Sequence, residues 1–253
     1  MTSSLFTHIA TLQGDTPWGD FLDAGTGVNS SLWATGLMTE RWTGVTAAVG
    51  HADQVRTAVG DRLRSQDRLL VGNWVDPALL EGQVYDTVLA DYLIGAVEGF
   101  SPYFQSQMLR RLRPLVRRRL YVVGLDPYVI GPADTAEGRL VREIGRLRDA
   151  VLLLADETPY REFPAEWTVN VLNEAGFRVI SARRFPNRYR ARWVNGQLDM
   201  ATRRLERLAD RALAGRLADT VEEIRTRGLA LCHERGGLRH GSDYVIAAEP
   251  TAL

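Results

Sequence analysis

The chain contains no lysine: all 31 of its basic residues are arginine. Lysine is therefore excluded as a general base or Schiff-base former, and any such chemistry falls to other side chains. Cysteine is nearly as scarce. Cys232 stands alone, which excludes an internal disulfide and a thiolate metal cluster. No run approaches ~18 consecutive apolar residues, so the pattern holds no spanning helix and no membrane partner is expected. The opening MTSSLFTHIATLQGD has neither a positively charged start nor a long apolar core, and a signal peptide is not expected there. Net charge is also missing, since 31 acidic residues balance the arginines. A nucleic-acid partner calls for a basic excess and is not expected. His8, His51, His233 and His240 are scattered without metal-ligand spacing, and no metal is expected. What is present is 253 residues, 45% of them hydrophobic, enough for one large domain with a substantial core. The expectation is a soluble, cytoplasmic protein.

Glycine punctuation is concentrated in residues 20–33, DFLDAGTGVNSSLW. Phe21 and Leu22 end a short apolar strand, and Asp23 sits at its tip. Gly25 and Gly27 let the backbone turn tightly and approach a ligand without a Cβ in the way. Asn29, Ser30 or Ser31 is placed to cap the helix that follows. A strand, a glycine turn and a helix start together favour a negatively charged group.

Further along, residues 4–12 read as a helix and 19–23 as the first strand. Helices at 30–38 and 51–65 flank a strand at 42–49. Residues 67–74 form a third strand ending in Asn73 and Trp74, and 85–94 a fourth, nearly all apolar as a strand buried on both faces should be. Residues 101–116 are helical and 118–125 form a fifth strand. The box Asp134-Thr135-Ala136-Glu137 opens a long helix to about 155. A helix at 164–175 carries Pro164 in its first turn and precedes a strand at 177–185. Residues 197–234 are arginine-rich and helical, with Gly215 as the expected division, and 242–249 form a last strand. This alternation implies a parallel sheet with right-handed crossovers, which binds ligands beyond the carboxyl ends of its strands.

The turn lacks the third glycine of a dinucleotide fingerprint, Ser30 taking its place, and Asp23 would sit poorly beside a pyrophosphate. A ligand with both a carboxylate and an ammonium suits it better. D-x-G-x-G at 23–27, the fourth strand with Asp86 and Asp91-Tyr92, and the closing D-Y-V-I at 243–246 occur in order. As an ordered set they resemble class I S-adenosylmethionine-dependent methyltransferases. The resemblance implies an α/β fold: a Rossmann-like, doubly wound, seven-stranded sheet whose last strand is antiparallel. It would form a single domain over 1–253, with an N-terminal lid at 1–18 and helical insertions at 126–163 and 190–240.

The same resemblance implies S-adenosylmethionine as cofactor, with Asp23, Gly25 and Gly27 along its methionine part. Asn73 and Trp74 would meet adenine, Thr46 a ribose hydroxyl, and Asp91 with Tyr92 would face the sulfonium and substrate. The chain departs from the family pattern at the second strand, which ends without Asp or Glu before Asp53. The acceptor wall is expected from the N-terminal segment with Phe6 and His8, from Tyr103, and from the 126–163 insertion with Asp126, Tyr128, Asp156, Glu157 and Tyr160. Phe100 and Phe104 are read as core. Asp91, Tyr92 and Tyr128 are the catalytic candidates; Tyr103, Asp126 and Tyr160 the substrate-binding ones. Three functions follow: methyl transfer to an O- or N-nucleophile of a small molecule; cyclisation of the cofactor to azetidine-2-carboxylate and methylthioadenosine; or non-catalytic binding. The apolar faces of the 134–155 and 197–234 helices either cover the sheet or pair two subunits as a homodimer.

Overall fold

The computed structural model describes residues 3–252. Seven strands form one sheet in the order β3-β2-β1-β4-β5-β7-β6. They are β1 Asp20–Asp23, β2 Arg41–Thr46, β3 Arg68–Val71, β4 Tyr85–Asp91, β5 Val116–Leu125, β6 Phe177–Tyr189 and β7 Leu238–Pro250. The pairs β3–β2, β2–β1, β1–β4 and β4–β5 are parallel, and β7 runs antiparallel to the other strands. The helices of eight or more residues that carry the argument are α1 Ser4–Gln13, α3 Val49–Val59, α5 Gln105–Leu112, α6 Ala136–Leu154, α7 Ala165–Glu174, α8 Ala191–Leu205 and α9 Arg211–Arg235; the shorter α2 Val28–Ala34 and α4 Leu93–Ala96 start at strand tips. This is the seven-stranded α/β architecture that the resemblance implies. Among the described residues, no helix is long and apolar enough to cross a membrane.

The chain divides into two compact units. The first takes the sequence up to Leu125 with Phe163–Phe185 and the segment from Tyr244 onward; the second takes Asp126–Glu162 and Pro186–Asp243. In the first unit, strand alternation sorts side chains into two cores. Val88 and Ala90 of β4, Leu120 and Val122 of β5, and Tyr244, Ile246 and Ala248 of β7 pack with Met108 and Leu109 of α5 and Leu172 of α7. Their neighbours Leu89, Tyr121, Val123, Val245 and Ala247 face the other way, against Phe6 and Ile9 of α1 and Val55 of α3. Both faces are covered, which is why the consecutive β4 residues Val88, Leu89 and Ala90 are all apolar. Burying one such side chain is worth about 1.5–3 kcal/mol, so the two layers dominate the stability of this unit.

The second unit is built on α6, α8 and α9, which all pack on one another. Thr135 caps α6 by accepting from the Gly138 N–H at 3.0 Å. The expected capping box is incomplete, because its third helical position is Gly138 rather than an acid. Nor does the 197–234 segment divide at Gly215, which lies inside α9. The break is at 206–210. There Asp210 caps α9 through Leu213 N–H, and Arg211 donates to the carbonyls of Leu205, Glu206 and Leu208 that end the preceding helix. A capping aspartate and an arginine on exposed carbonyls stop a helix more firmly than one glycine.

Candidate functional site

Strand order fixes where a ligand belongs. The chain runs from β1 outward to β2 and β3, then returns to β4 on the other side of β1. The crossovers therefore diverge between β1 and β4, and a crevice opens at their carboxyl ends. Register places Asp23 beside Leu89 and Asp91 beside Val123, so the tips of β1 and β4 lie together. The Ala24 N–H donates to the Leu89 carbonyl at 2.8 Å and the Tyr92 N–H to that of Val123 at 2.9 Å, fixing both tips to the neighbouring strand.

Asp91 and Tyr92 line a cleft of about 720 Å³ together with Asn29, Leu32 and Trp33 of α2, Arg62, and Ser3, Leu5 and Phe6 at the chain's start. The Phe6 and Trp33 rings stack with centroids 4.6 Å apart and planes 5° from parallel. Tyr92 has left-handed backbone angles, φ 50° and ψ 16°. Such a conformation costs a bulky residue about 1–3 kcal/mol and clusters at functional sites. Trp33, Arg62, Asn29 and Ser3 were not visible as site residues in the sequence. Helical spacing from Asn29 to Trp33 was the one available signal; Arg62 arrives from a distant segment.

The two turn glycines differ. A Cβ on Gly25 would meet Leu93 at 3.0 Å, so its missing side chain is explained by packing against the start of α4. A Cβ on Gly27 would meet nothing within 4 Å, and its φ of −127° is open to any residue. Among the described residues no packing contact requires glycine there, and the space beside this N-cap position is what a closely approaching ligand needs. Gly27 is also the residue that precedes α2. None of Asn29, Ser30 or Ser31 takes that capping position; Ser30 instead accepts from Gly27 N–H through its Oγ at 3.0 Å.

Asp23 is not in the cleft. Alternation along β1 sends it to the same face as Phe21, where it is 0% exposed. Neither carboxylate oxygen has a hydrogen-bond partner, and the buried Thr26 hydroxyl has none either. Burial pushes the Asp23 carboxyl up to about 6. The Thr26 and Ser30 hydroxyls and the Gly25 N–H face it from outside hydrogen-bond geometry and only partly oppose that shift. Asp23 thus underlies the turn rather than lining the ligand space.

Trp74, expected to offer its ring to adenine, is in the core at 4% exposure, and its indole N–H donates to the Ala24 carbonyl at 2.7 Å. It fixes the turn from below. The Asn73 amide is drawn to the segment after β4, accepting from the Ser101 hydroxyl at 2.9 Å and donating to the Phe100 carbonyl at 3.4 Å. Thr46 is the buried last residue of β2, and the residues that follow it, Ala47 and Ala48, offer no carboxylate. Tyr103 is 74% exposed with φ 65°, its N–H donating to Glu98. Phe104 packs on the core as expected, whereas Phe100 is exposed. His8 stands edge-on to Phe185, and burial with nearby Arg183 holds its imidazole below the usual range.

The second unit holds Tyr128, Asp126 and Tyr160. Tyr128 is buried, and its hydroxyl accepts from Arg148 at 2.7 Å. The same guanidinium bonds Gln197 and Asp149 and lies over the Tyr128 ring at 5.9 Å. Burial pushes the Tyr128 phenol up, with Arg148 opposing. A buried phenol fixed by an arginine is a structural group, and the expected catalytic role has no support in its surroundings. His240 is bonded to the Tyr128 carbonyl at 2.9 Å. Asp126 holds the Ser242 carbonyl through its backbone N–H at 2.9 Å, and Tyr160 is exposed. Glu157 is engaged by Arg204 and Arg207. Glu162, which the sequence did not single out, is the perturbed acid of this unit. Burial pushes it up to about 7, against the pull of Arg148 and with help from Asp243 and Asp149.

No protein-family model matches the sequence, and no curated protein matches it. Solved structures match the whole fold at low identity. The YcgJ protein from Bacillus subtilis is 15% identical, with 99% of this chain and 98% of that one covered and a TM-score of 0.59. The [4+2]-cyclase SpnF is 14% identical, over 98% and 80% of the two chains, with a TM-score of 0.58. Coclaurine N-methyltransferase, solved with N-methylheliamine and S-adenosylhomocysteine, is 13% identical over 97% and 71%, with a TM-score of 0.54. At these identities the likeness is one of fold, and enzymes of that fold include both a methyltransferase and a cyclase.

Proposed function

We propose that the chain is an S-adenosylmethionine-dependent enzyme that delivers a methyl group to an O- or N-nucleophile of a small molecule. The observation that carries this reading is the pairing at the switch point. Gly27, with open space beside it, stands after β1, and Asp91 and Tyr92 at the tip of β4 open onto the cleft. That a methyltransferase of the same fold binds S-adenosylhomocysteine supports the choice of cofactor.

When bound, the cofactor's sulfonium supplies an electrophilic carbon. The chain's residues would position a nucleophile against it and keep water out. Gly27 permits close approach of the ligand to the backbone. Trp74 and Leu93 hold the turn in place from beneath. The Asp91 carboxylate is suited to take a proton from an O–H or N–H acceptor, or to hold an ammonium group. Phe6, Trp33 and Tyr92 give the cleft an aromatic wall, and ring faces attract a cation. The ribose would be held with a hydroxyl, Thr46, in place of a carboxylate.

The test is incubation of the purified protein with S-adenosylmethionine alone, followed by mass spectrometry. The expected result is bound, unchanged cofactor, with S-adenosylhomocysteine formed only when an acceptor is supplied. Methylthioadenosine and azetidine-2-carboxylate appearing without acceptor would replace transfer by cyclisation, in which the cofactor's amine attacks its own γ-carbon. Absence of cofactor binding would sink the reading and leave a non-catalytic binding protein of the same fold.

A further inference from the structure

The second unit carries a basic groove that the proposed reaction does not use. It has a volume of about 580 Å³ and lies between α6 and α9. Arg139, Arg142 and Arg146 line it, spaced three and four residues apart and therefore on one face of α6. Leu147 and Ile224 give it an apolar side.

Among the described residues, arginines such as Arg41, Arg119, Arg148, Arg204, Arg225 and Arg227 have a carboxylate partner. Arg139, Arg142 and Arg146 make no recorded ion pair among the described residues, and their hydrogen bonds go to backbone carbonyls. Arg142 and Arg146 converge on a single acceptor. Their Nε atoms both donate to the Val129 carbonyl, at 3.5 and 3.3 Å, so the two guanidinium groups are held as close neighbours. Two like charges in that position repel each other, and one neutral carbonyl does not cancel the repulsion. One carboxylate, Glu143, also lines the groove; its recorded ion pair is with Arg227 and not with these three. Among the described residues the Nη donors of Arg142 and Arg146 have no recorded hydrogen bond. Two guanidinium forks with free Nη atoms and a shared anchor form the donor set that grips a doubly charged oxyanion, and arginine does this better than a point charge through bidentate bonding.

We propose that this groove binds a phosphate-bearing small molecule, with Arg142 and Arg146 on the phosphate, Arg139 adding charge, and Leu147 and Ile224 beside the rest of the ligand. The inference does not depend on the reaction proposed above, since none of these residues belongs to that cleft.

Titration calorimetry of the full chain at constant ionic strength tests it, with inorganic phosphate and with butyl phosphate as probes. Saturable binding of both is expected, tighter for butyl phosphate because of the apolar side of the groove. Arg142→Gln with Arg146→Gln should weaken both at least tenfold while circular dichroism stays unchanged. A control with the same loss of charge, Arg203→Gln with Arg216→Gln, removes two arginines that have no shared anchor and should leave binding intact. No saturation in the unaltered chain would overturn the proposal, as would equal weakening in the control. Co-sedimentation with phosphatidic acid vesicles, without binding of either soluble probe, would overturn it in favour of a lipid surface.

Discussion

The strand tips of the first unit and the Arg148 network of the second handle buried charge in opposite ways. Around Arg148 the donors are matched: Tyr128, Gln197 and Asp149 all accept from one guanidinium. Beneath the glycine turn the matching fails. Asp23 is wholly buried with two unpartnered oxygens, Thr26 has an unpartnered hydroxyl, and Tyr92 nearby holds a strained backbone. A saturated buried network fixes a shape, whereas an unsaturated one keeps free energy in reserve at the place where a ligand would bind. The sequence offered aspartate and tyrosine in both places as equal candidates, and only their surroundings separate them.

The contrast can be broken most sharply within the turn itself. Gly25→Val forces a side chain against Leu93, so it should disrupt the turn and cut S-adenosylmethionine affinity more than 100-fold, about 3 kcal/mol by calorimetry. Gly27→Ala places a methyl group in open space. It should leave the melting temperature nearly unchanged yet weaken the cofactor roughly tenfold. A Gly27→Ala protein that binds normally would remove the observation on which the functional reading rests.

Arg148→Met should cost about 1–3 kcal/mol in urea unfolding, because it leaves the half-buried Asp149 and the buried Tyr128 hydroxyl without their partner. A loss under about 1 kcal/mol would mean that the matched network does not hold this unit.

Asp23→Asn should act in the other direction. The folded-state pKa of about 6 lies above the ordinary aspartate value of 3.8, so between them the folded chain binds more protons than the unfolded one. Stability from this group therefore falls as pH rises from about 4 to about 6, and the full cost is present above that. Neutralising the side chain should gain up to roughly 3 kcal/mol at pH 7 and flatten that slope. Glu162→Gln should flatten a separate slope that extends to about pH 7. If Asp23→Asn destabilises the protein equally at pH 4 and pH 7, the carboxylate has a partner and the contrast fails.

The smallest expected effect is Gly215→Ala. This glycine sits in the exposed interior of α9 with nothing within 4 Å, so alanine should stabilise the helix by about 1 kcal/mol, read as a higher urea midpoint. Destabilisation would restore the helix break that the sequence suggested.

The sheet was legible because its signals are local and repeated. β4 carries apolar residues on both faces, and D-x-G-x-G at 23–27 follows the short strand β1. The turn was therefore found at Asp23–Gly27, and the tip of β4 at Asp91–Tyr92. Individual roles at those positions were not legible. Asp23, Trp74 and Asn73 stand at strand ends as expected, but alternation and packing turn two of them into the interior and draw the third toward residues 100 and 101. Sequence spacing gives the direction of a side chain only relative to its own element. It does not say which other element covers it.

The sequence by itself determined the parallel alternation, the glycine turn after the first strand, the absence of lysine chemistry and of disulfides, and the missing acid after the second strand. These follow from residue type and near-neighbour spacing. Tertiary structure alone decided that Gly25 answers to Leu93 while Gly27 has open space beside it, that Asp23 is buried and raised in pKa, and that Tyr128 is bound by Arg148. It also decided that Trp33 and Arg62 join Asp91 in one cleft. Each of these depends on atoms brought together from distant segments, and desolvation and contact are properties of that assembly rather than of any one stretch of chain.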